Sequence, residues 1–360
     1  MENRKIRVAI TQGDINGVGY ELLFKAFEEP TMMELCTPIV YGNPKVAEYY
    51  HQLLGVEMPY NTIMKAHDAQ ENRLNILAVS NEAIEVVPGQ PTEKSGTVAL
   101  HAVDRALADY RQGLFDVLVT LPVDNNSAFH FSGLSRYIED HLDESGRGLS
   151  MLVSDRMRIA LATRNLPLKQ VAEAVTTDAI KKAIATLHTS LLRDFRQSNP
   201  RIAVLALNPK AGEDGLLGTE EQEVLRPAMN EAEEAGKQVF GPYAADTFFS
   251  EDYNTEFDGV LAMYYDQGLM PFRTTAYEGG VSYTAGLSLV RTAPAHNAQF
   301  DIAGKGVADA ASLRQAMYLA VDIFRNRKTY DEPLANPLPK LYKERRDDSD
   351  KTRFRRPAVE

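Results

Sequence analysis

The sequence predicts an α/β protein, and three observations predict it. Short β-branched runs at residues 6–10, 37–41, 117–120, 158–163, 202–207 and 259–263 alternate with longer helical patterns, the signature of βαβ units around mostly parallel sheets. The stretches between them repeat apolar residues three and four apart, as in Ala179, Ile180, Ala183, Ile184, Leu187 and Leu191, which buries one helix face against a sheet. Several runs also end in polar and turn-forming residues, as strands do when they deliver side chains to the mouth of a parallel sheet.

Composition narrows the function classes. With 360 residues, 44% hydrophobic content and 25% charge, the chain has material for two lobes with substantial cores. A net charge of -11 argues against nonspecific nucleic-acid or anionic-membrane binding, either of which needs a basic face, so small molecules and other subunits are the expected partners. A single cysteine, Cys36, excludes an internal disulfide and fits a reducing compartment. The strand-like run at residues 6–10 begins without an apolar signal core, and no apolar stretch is long enough to span a bilayer, so the cytoplasm is the expected location. From residue 331 onward proline and charge replace apolar residues, which predicts a mobile charged tail over 331–360. A nucleic-acid arm built on Arg345, Arg346 and Arg353 is opposed by the interleaved Asp347, Asp348 and Asp350.

Two glycine segments and three loops carry the chemistry. The first run continues into Gly13-Asp14-Ile15-Asn16-Gly17-Val18-Gly19, where a helix begins; it is either a phosphate cradle at a helix N-terminus or a tight turn, since the spacing is not the dinucleotide fingerprint and no Walker lysine follows. The second is His296-Asn297-Ala298-Gln299-Phe300-Asp301-Ile302-Ala303-Gly304-Lys305-Gly306-Val307-Ala308-Asp309. The loops are Leu161-Ala162-Thr163-Arg164-Asn165-Leu166-Pro167-Leu168, Leu207-Asn208-Pro209-Lys210-Ala211-Gly212-Glu213 and Ala262-Met263-Tyr264-Tyr265-Asp266-Gln267-Gly268-Leu269.

These frames, from Val8 to about Ile323, closely resemble the 4-hydroxythreonine-4-phosphate dehydrogenase family of pyridoxal phosphate synthesis. The resemblance implies two α/β/α lobes of the isocitrate/isopropylmalate dehydrogenase type with a cleft between them. Residues 1–121 and 282–330 would form a cofactor-side lobe, residues 122–281 a substrate and dimerisation lobe, and the active unit would be a homodimer. It implies NAD or NADP held by the second glycine segment at His296, Ala298, Asp301, Ile302 and Asp309, with Asn297 standing where the pattern prefers glycine. In the family each of the three loops supplies one metal-binding histidine; here the positions hold Asn165, Lys210 and Tyr265. A carboxamide, an ammonium and a phenol do not rebuild that site, which argues against a bound divalent metal. Of the seven histidines, His130, His141 and His296 remain as cleft candidates.

Other matching positions have changed too. The Thr-Gly-Pro-x-x-Lys loop appears as Thr120-Leu121-Pro122-Val123-Asp124-Asn125, without its lysine, and the Gly-His-Thr-Glu loop aligns to Ile138-Glu139-Asp140-His141. That alignment places Glu139 and Asp140 at the substrate, where they would oppose an anion. Arg273, Ser282 and Arg291 complete the implied substrate set, and two guanidinium groups can grip phosphate or carboxylate in bidentate fashion. The expected activity is NAD(P)-dependent oxidation, with decarboxylation, of 4-phosphohydroxy-L-threonine or a related hydroxy acid, with Asp266 and Lys210 as candidate catalytic groups. Two alternatives stand beside it: a metal-independent enzyme that uses Lys210 as electrophile, and a noncatalytic ligand-binding homologue.

Overall fold

The computed structural model describes residues 4–124, 133–250, 255–276 and 279–336. Twelve strands form one sheet: β1 (Arg7–Thr11), β2 (Thr37–Gly42), β3 (Tyr60–Ile63), β4 (Leu74–Ala78), β5 (Val117–Thr120), β6 (Leu149–Val153), β7 (Arg158–Leu161), β8 (Arg201–Leu205), β9 (Gln238–Tyr243), β10 (Gly259–Ala262), β11 (Val281–Ala285) and β12 (Val290–Pro294). Their spatial order is β3-β4-β2-β1-β5-β12-β11-β6-β7-β10-β8-β9. Eight helices matter to the argument: α1 (Gly19–Phe27), α2 (Pro44–Leu54), α3 (Glu93–Arg111), α4 (Leu134–His141), α5 (Thr177–Arg193), α6 (Arg226–Glu234), α7 (Tyr265–Thr275) and α8 (Ala311–Ala335).

The sheet has two parallel halves joined by an antiparallel centre. β4, β2, β1, β5 and β12 pair in parallel on one side, and β7, β10, β8 and β9 on the other. Between them β11 runs antiparallel to both β12 and β6, and β6 antiparallel to β7. The chain enters the second half after β5 and returns through the β11–β12 pair. β2 and β4 are buried along their whole length, the pattern of strands covered on both faces.

The helices form where the sequence supplies a start signal and a stripe. α3 opens with a reciprocal capping box, in which Thr92 Oγ1 accepts from the Ser95 N–H and Ser95 Oγ from the Thr92 N–H, each at 3.1 Å. α5 is capped by Thr176 and buries Ile180, Ala183, Ile184, Leu187 and Leu191, the stripe seen in the sequence, with Ala179 at its edge. Proline inside the last turn does not end α8. The helix continues to Ala335, and Arg193 holds Asp331 through its Nε at 2.8 Å. Residues 331–335 are therefore helical, which corrects the expected start of the tail; the rest of that tail from residue 337, like Asn125 and His130, lies outside the described residues. No helix among the described residues is long and apolar enough to cross a membrane.

Candidate functional site

The opening glycines are filled by protein. Gly13 has φ +69°, and a Cβ there would sit 2.6 Å from the Pro122 carbonyl oxygen; a Cβ on Gly17 would meet the Ala298 oxygen at 2.8 Å. The turn brings three backbone segments together, so the tight-turn alternative holds and the phosphate cradle does not. Asp14 serves the same turn, accepting from the Asn16 N–H at 3.0 Å and from Ser95 Oγ at 3.0 Å. Glu21, buried on α1, reaches the second glycine segment and accepts from the Ala308 N–H at 2.6 Å and the Gly306 N–H at 3.3 Å.

That second segment turns one ring to the cleft. His296 lines the central cavity and its Nε2 lies 3.0 Å from Ser312 Oγ; burial is the main influence holding its pKa below the usual imidazole value. The other four predicted cofactor residues do not line that cavity. Ala298 is buried, its carbonyl accepting from the Val18 N–H at 3.1 Å, and Asp309 accepts from the Ala311 N–H at 2.9 Å at the start of α8. Asp301 is exposed and Ile302 half-buried. Gly306, at φ +71°, has open space beside it, with the nearest side-chain atom 4.0 Å from a Cβ position.

The three loops lie side by side because β7, β10 and β8 are parallel neighbours. Thr163 Oγ1 donates to the Met263 carbonyl at 2.7 Å, and Gln267 Nε2 donates to the Ala206 carbonyl at 2.7 Å while its Oε1 accepts from the Met263 N–H. Gly268 lets α7 pack closely on the sheet, since a Cβ would meet Leu161 Cδ2 at 2.6 Å. The Asp-Gln-Gly turn is thus a joint between strands. Asn165 sits at φ +54°, exposed, and with Tyr265 it lines both the central cavity and a smaller one; Asp266 lines only the smaller.

Lys210 is elsewhere. It begins a run of left-handed residues through Asp214, a conformation costly for side-chain-bearing residues, and Glu221 fastens the loop by accepting from the Leu207 and Asn208 N–H groups at 2.9 and 2.8 Å. The Lys210 side chain is 67% exposed, faces Glu213 at 3.7 Å and does not line the central cavity. Among the described residues no group of three or more His, Cys, Asp or Glu is placed to hold a metal ion.

The central cavity, about 300 Å³, opens where β5, β12, β11, β6 and β7 meet α7, and Arg164, Arg273 and Arg291 line it together with Ser282. Arg291 is 5% exposed and has hydroxyl partners, donating from Nε to Thr120 Oγ1 at 3.0 Å and from Nη1 to Ser135 Oγ at 3.1 Å. Burial, then the charge of Arg164, pushes its pKa down to about 10, still protonated at neutral pH. No salt bridge to Arg291 or Arg273 is formed among the described residues.

The carboxylates expected at the substrate are not in the cavity. Glu139 is buried behind Arg164 and bound to its guanidinium, while Asp140 is exposed on α4 and accepts from Ser145. Glu139 is neutralised by its partner, so it does not oppose an anion as expected. The frame Gly133-Leu134-Ser135-Arg136 keeps the glycine of the Gly-His-Thr-Glu motif and brings Ser135 to the cavity; that glycine was the available signal. Thr120, Arg164 and Ser150 also line the cavity; Thr120 and Arg164 stood within quoted loops without being assigned a role, and no motif pointed to Ser150. A second cavity of about 530 Å³ beside Gln12, Asn43 and α3 has buried amides already satisfied within the protein.

Sheet, cleft and arginines define a class: an α/β protein of the isocitrate dehydrogenase fold with a cationic cleft. Isocitrate dehydrogenase from Methylococcus capsulatus has the same fold over 92% of this chain and 89% of its own, with a TM-score of 0.50 at 11% identity. A 4-hydroxythreonine-4-phosphate dehydrogenase structure from Klebsiella pneumoniae is nearer, covering 90% of this chain and 99% of its own with a TM-score of 0.76 and 26% identity. A relative from Bacteroides thetaiotaomicron with that enzyme name is 48% identical over 358 residues, 98% of each chain. The family model described as pyridoxal phosphate biosynthetic protein PdxA matches residues 34–320, and this chain belongs to that family.

Proposed function

We propose that this chain oxidises 4-phosphohydroxy-L-threonine or a closely related phosphorylated hydroxy acid with NAD or NADP, with decarboxylation, and does so without a metal at the three-loop position. The observation that carries the anionic substrate is Arg291, a buried guanidinium on the cavity wall whose partners are neutral hydroxyls. A buried charge is costly when uncompensated, and a phosphate or carboxylate in the cavity compensates it. The cofactor, when bound, supplies the hydride acceptor. His296, on the cavity wall, is the group that would hold it, and α7 and the 295–297 turn line the same cavity.

The metal-free half rests on donor chemistry. Asn165, Lys210 and Tyr265 offer a carboxamide, an ammonium and a phenol, a set that does not suit a divalent ion. Purified protein given substrate and NAD or NADP in excess EDTA should form reduced nicotinamide, and zinc, magnesium or manganese should not raise the rate. Absence of reduced cofactor under every condition sinks the dehydrogenase reading, and thermal stabilisation by substrate without turnover would leave the ligand-binding homologue. A need for added metal sinks the metal-free half. In the same assay Lys210→Met should retain turnover within about threefold, as for a solvent-exposed charge worth less than about 1 kcal/mol; its loss would restore the lysine-electrophile alternative.

A homodimer is part of this reading. Leu168 on the first loop, Leu216 just after the second and Met270 on α7 are 71%, 78% and 65% exposed. Light scattering should give twice the 40.0 kDa chain mass, and a monomer would refute it.

A further inference from the structure

Arg164 and Asn165 are adjacent in sequence and unlike in environment. Asn165 is exposed, whereas the Arg164 side chain is 21% exposed and held from two sides: Nη2 donates to Glu139 Oε1 and Nη1 to Ser150 Oγ at 3.1 Å. Glu139 is 1% exposed, and Gly148 makes room for it, because a Cβ there would lie 2.3 Å from Glu139 Oε1. Its other oxygen, Oε2, has no hydrogen-bond partner among the described residues. A buried carboxylate costs stability unless it is paired, so the visible work of Glu139 is to fix one guanidinium on the cavity wall.

The cavity then contains more positive charge than its wall neutralises. Arg164 and Arg291 face the same space and repel one another, and Arg273 stands at its edge on α7. Like charges around one cavity are stabilised by a ligand carrying two separated anionic groups. A guanidinium is permanently charged and presents a rigid fork of donors that matches a carboxylate.

We propose that Arg164, positioned by Glu139, binds the carboxylate of the substrate, putting a fixed positive charge beside the reacting carbon on the loop whose Asn165 stands at a family metal-ligand position. Arg291 takes the phosphate. The inference rests on the anionic substrate proposed above, and it adds the group that recognises the second anion and the reason that recognition needs no metal.

Two probes that differ by one carboxylate, O-phospho-L-serine and phosphoethanolamine, separate the roles by titration calorimetry in EDTA. The protein should bind phosphoserine about tenfold or more tightly than phosphoethanolamine, the size of one charge-assisted contact. The variant Glu139→Gln/Arg164→Gln removes the pair without stranding a buried charge, and should shrink that preference to within about twofold while phosphoethanolamine affinity stays nearly constant. Arg164→Lys, which keeps the charge and Glu139 but loses the fork, should reduce the preference severalfold. Arg291→Met should weaken both probes. The proposal is overturned if the preference survives in both Arg164 variants, or if the unmodified protein binds the probes equally or not at all. Turnover is scored separately: no reduced nicotinamide together with the expected binding cycle would sink the dehydrogenase reading alone, and turnover with an unchanged preference would sink this inference alone.

Discussion

Replacing Arg291 by Met should abolish most activity while leaving the protein at least as stable. Hydrogen bonds to charged groups contribute about 1.5–3 kcal/mol each, so losing a bidentate grip on the phosphate should lower kcat/KM by roughly two to four orders of magnitude. Stability should move the other way. Arg291 is buried with hydroxyls at Thr120 and Ser135, and its pKa of about 10 in the folded chain lies below its ordinary value. A base whose folded pKa is depressed destabilises the fold wherever it is charged, so the penalty is present at neutral pH and lifts only as pH rises through about 10. Met fills the space without that penalty, although it leaves Thr120 and Ser135 with one fewer partner each. Thermal unfolding of the ligand-free variant should therefore occur at an equal or higher temperature, and the stabilisation that substrate gives the unmodified protein should vanish. Unchanged kcat/KM in the variant would remove Arg291 from the site and with it the main support for an anionic substrate.

Much of the fold was legible because parallel strands buried on both faces must be continuous apolar runs. Six of the strands were visible this way, including β1, β2 and β5. Five of the other six were harder for definite reasons. β3 is short and only partly buried, carrying Asn61 and Thr62, so its pattern blends into a loop. β9 contains Gly241 and Pro242, residues that argue against a strand, and it survives as an edge where a missing N–H leaves few partners unsatisfied. β6, β11 and β12 make the antiparallel centre. Their pairing follows from the join between the two halves, which no local pattern announces.

The site was legible as a set of frames and less so as a set of roles. Motif spacing located Arg291, Arg273, Ser282 and His296, all of which line one cavity. Spacing could not show that Glu139 faces inward from α4 to meet Arg164, because that contact joins residues 25 positions apart across two elements. Nor could it show that Lys210 occupies a left-handed turn whose geometry carries its side chain to solvent. The glycines of the opening loop illustrate the same limit. Their spacing is equally suited to an approaching phosphate and an approaching backbone, and only the positions of Pro122 and Ala298 decide for the backbone.

Substituting Asp194 by Ala should produce the largest loss of stability among single changes away from the cleft, about 3–5 kcal/mol, the range for breaking one side of a buried ion pair. Asp194 follows α5 with its side chain 3% exposed, accepting from Ser190 Oγ at 2.6 Å, from the Tyr283 hydroxyl at 2.6 Å and from Arg327 Nε at 2.7 Å. Arg327 of α8 also donates to the Leu287 and Ser288 carbonyls, each at 2.9 Å. Burial pulls the Arg327 pKa down, and Tyr283 and Asp194 more than reverse it. The network therefore fastens α5 of the second half, β11 of the antiparallel centre and α8 of the first half at one point. Without Asp194, the guanidinium stays buried with neutral partners only. Pairing Asp194→Ala with Arg327→Met should recover more than half of the loss, because the uncompensated charge leaves with the arginine. Urea unfolding midpoints measure both, and a single-variant loss under about 1 kcal/mol would show the join to be held by apolar packing alone. The consequence reaches the cleft through two short paths: β11 carries Ser282 on the cavity wall, and α8 carries Ser312, which meets His296. A protein with this join weakened should show higher KM before it unfolds, since the walls that carry the arginines and the histidine would no longer hold a fixed separation.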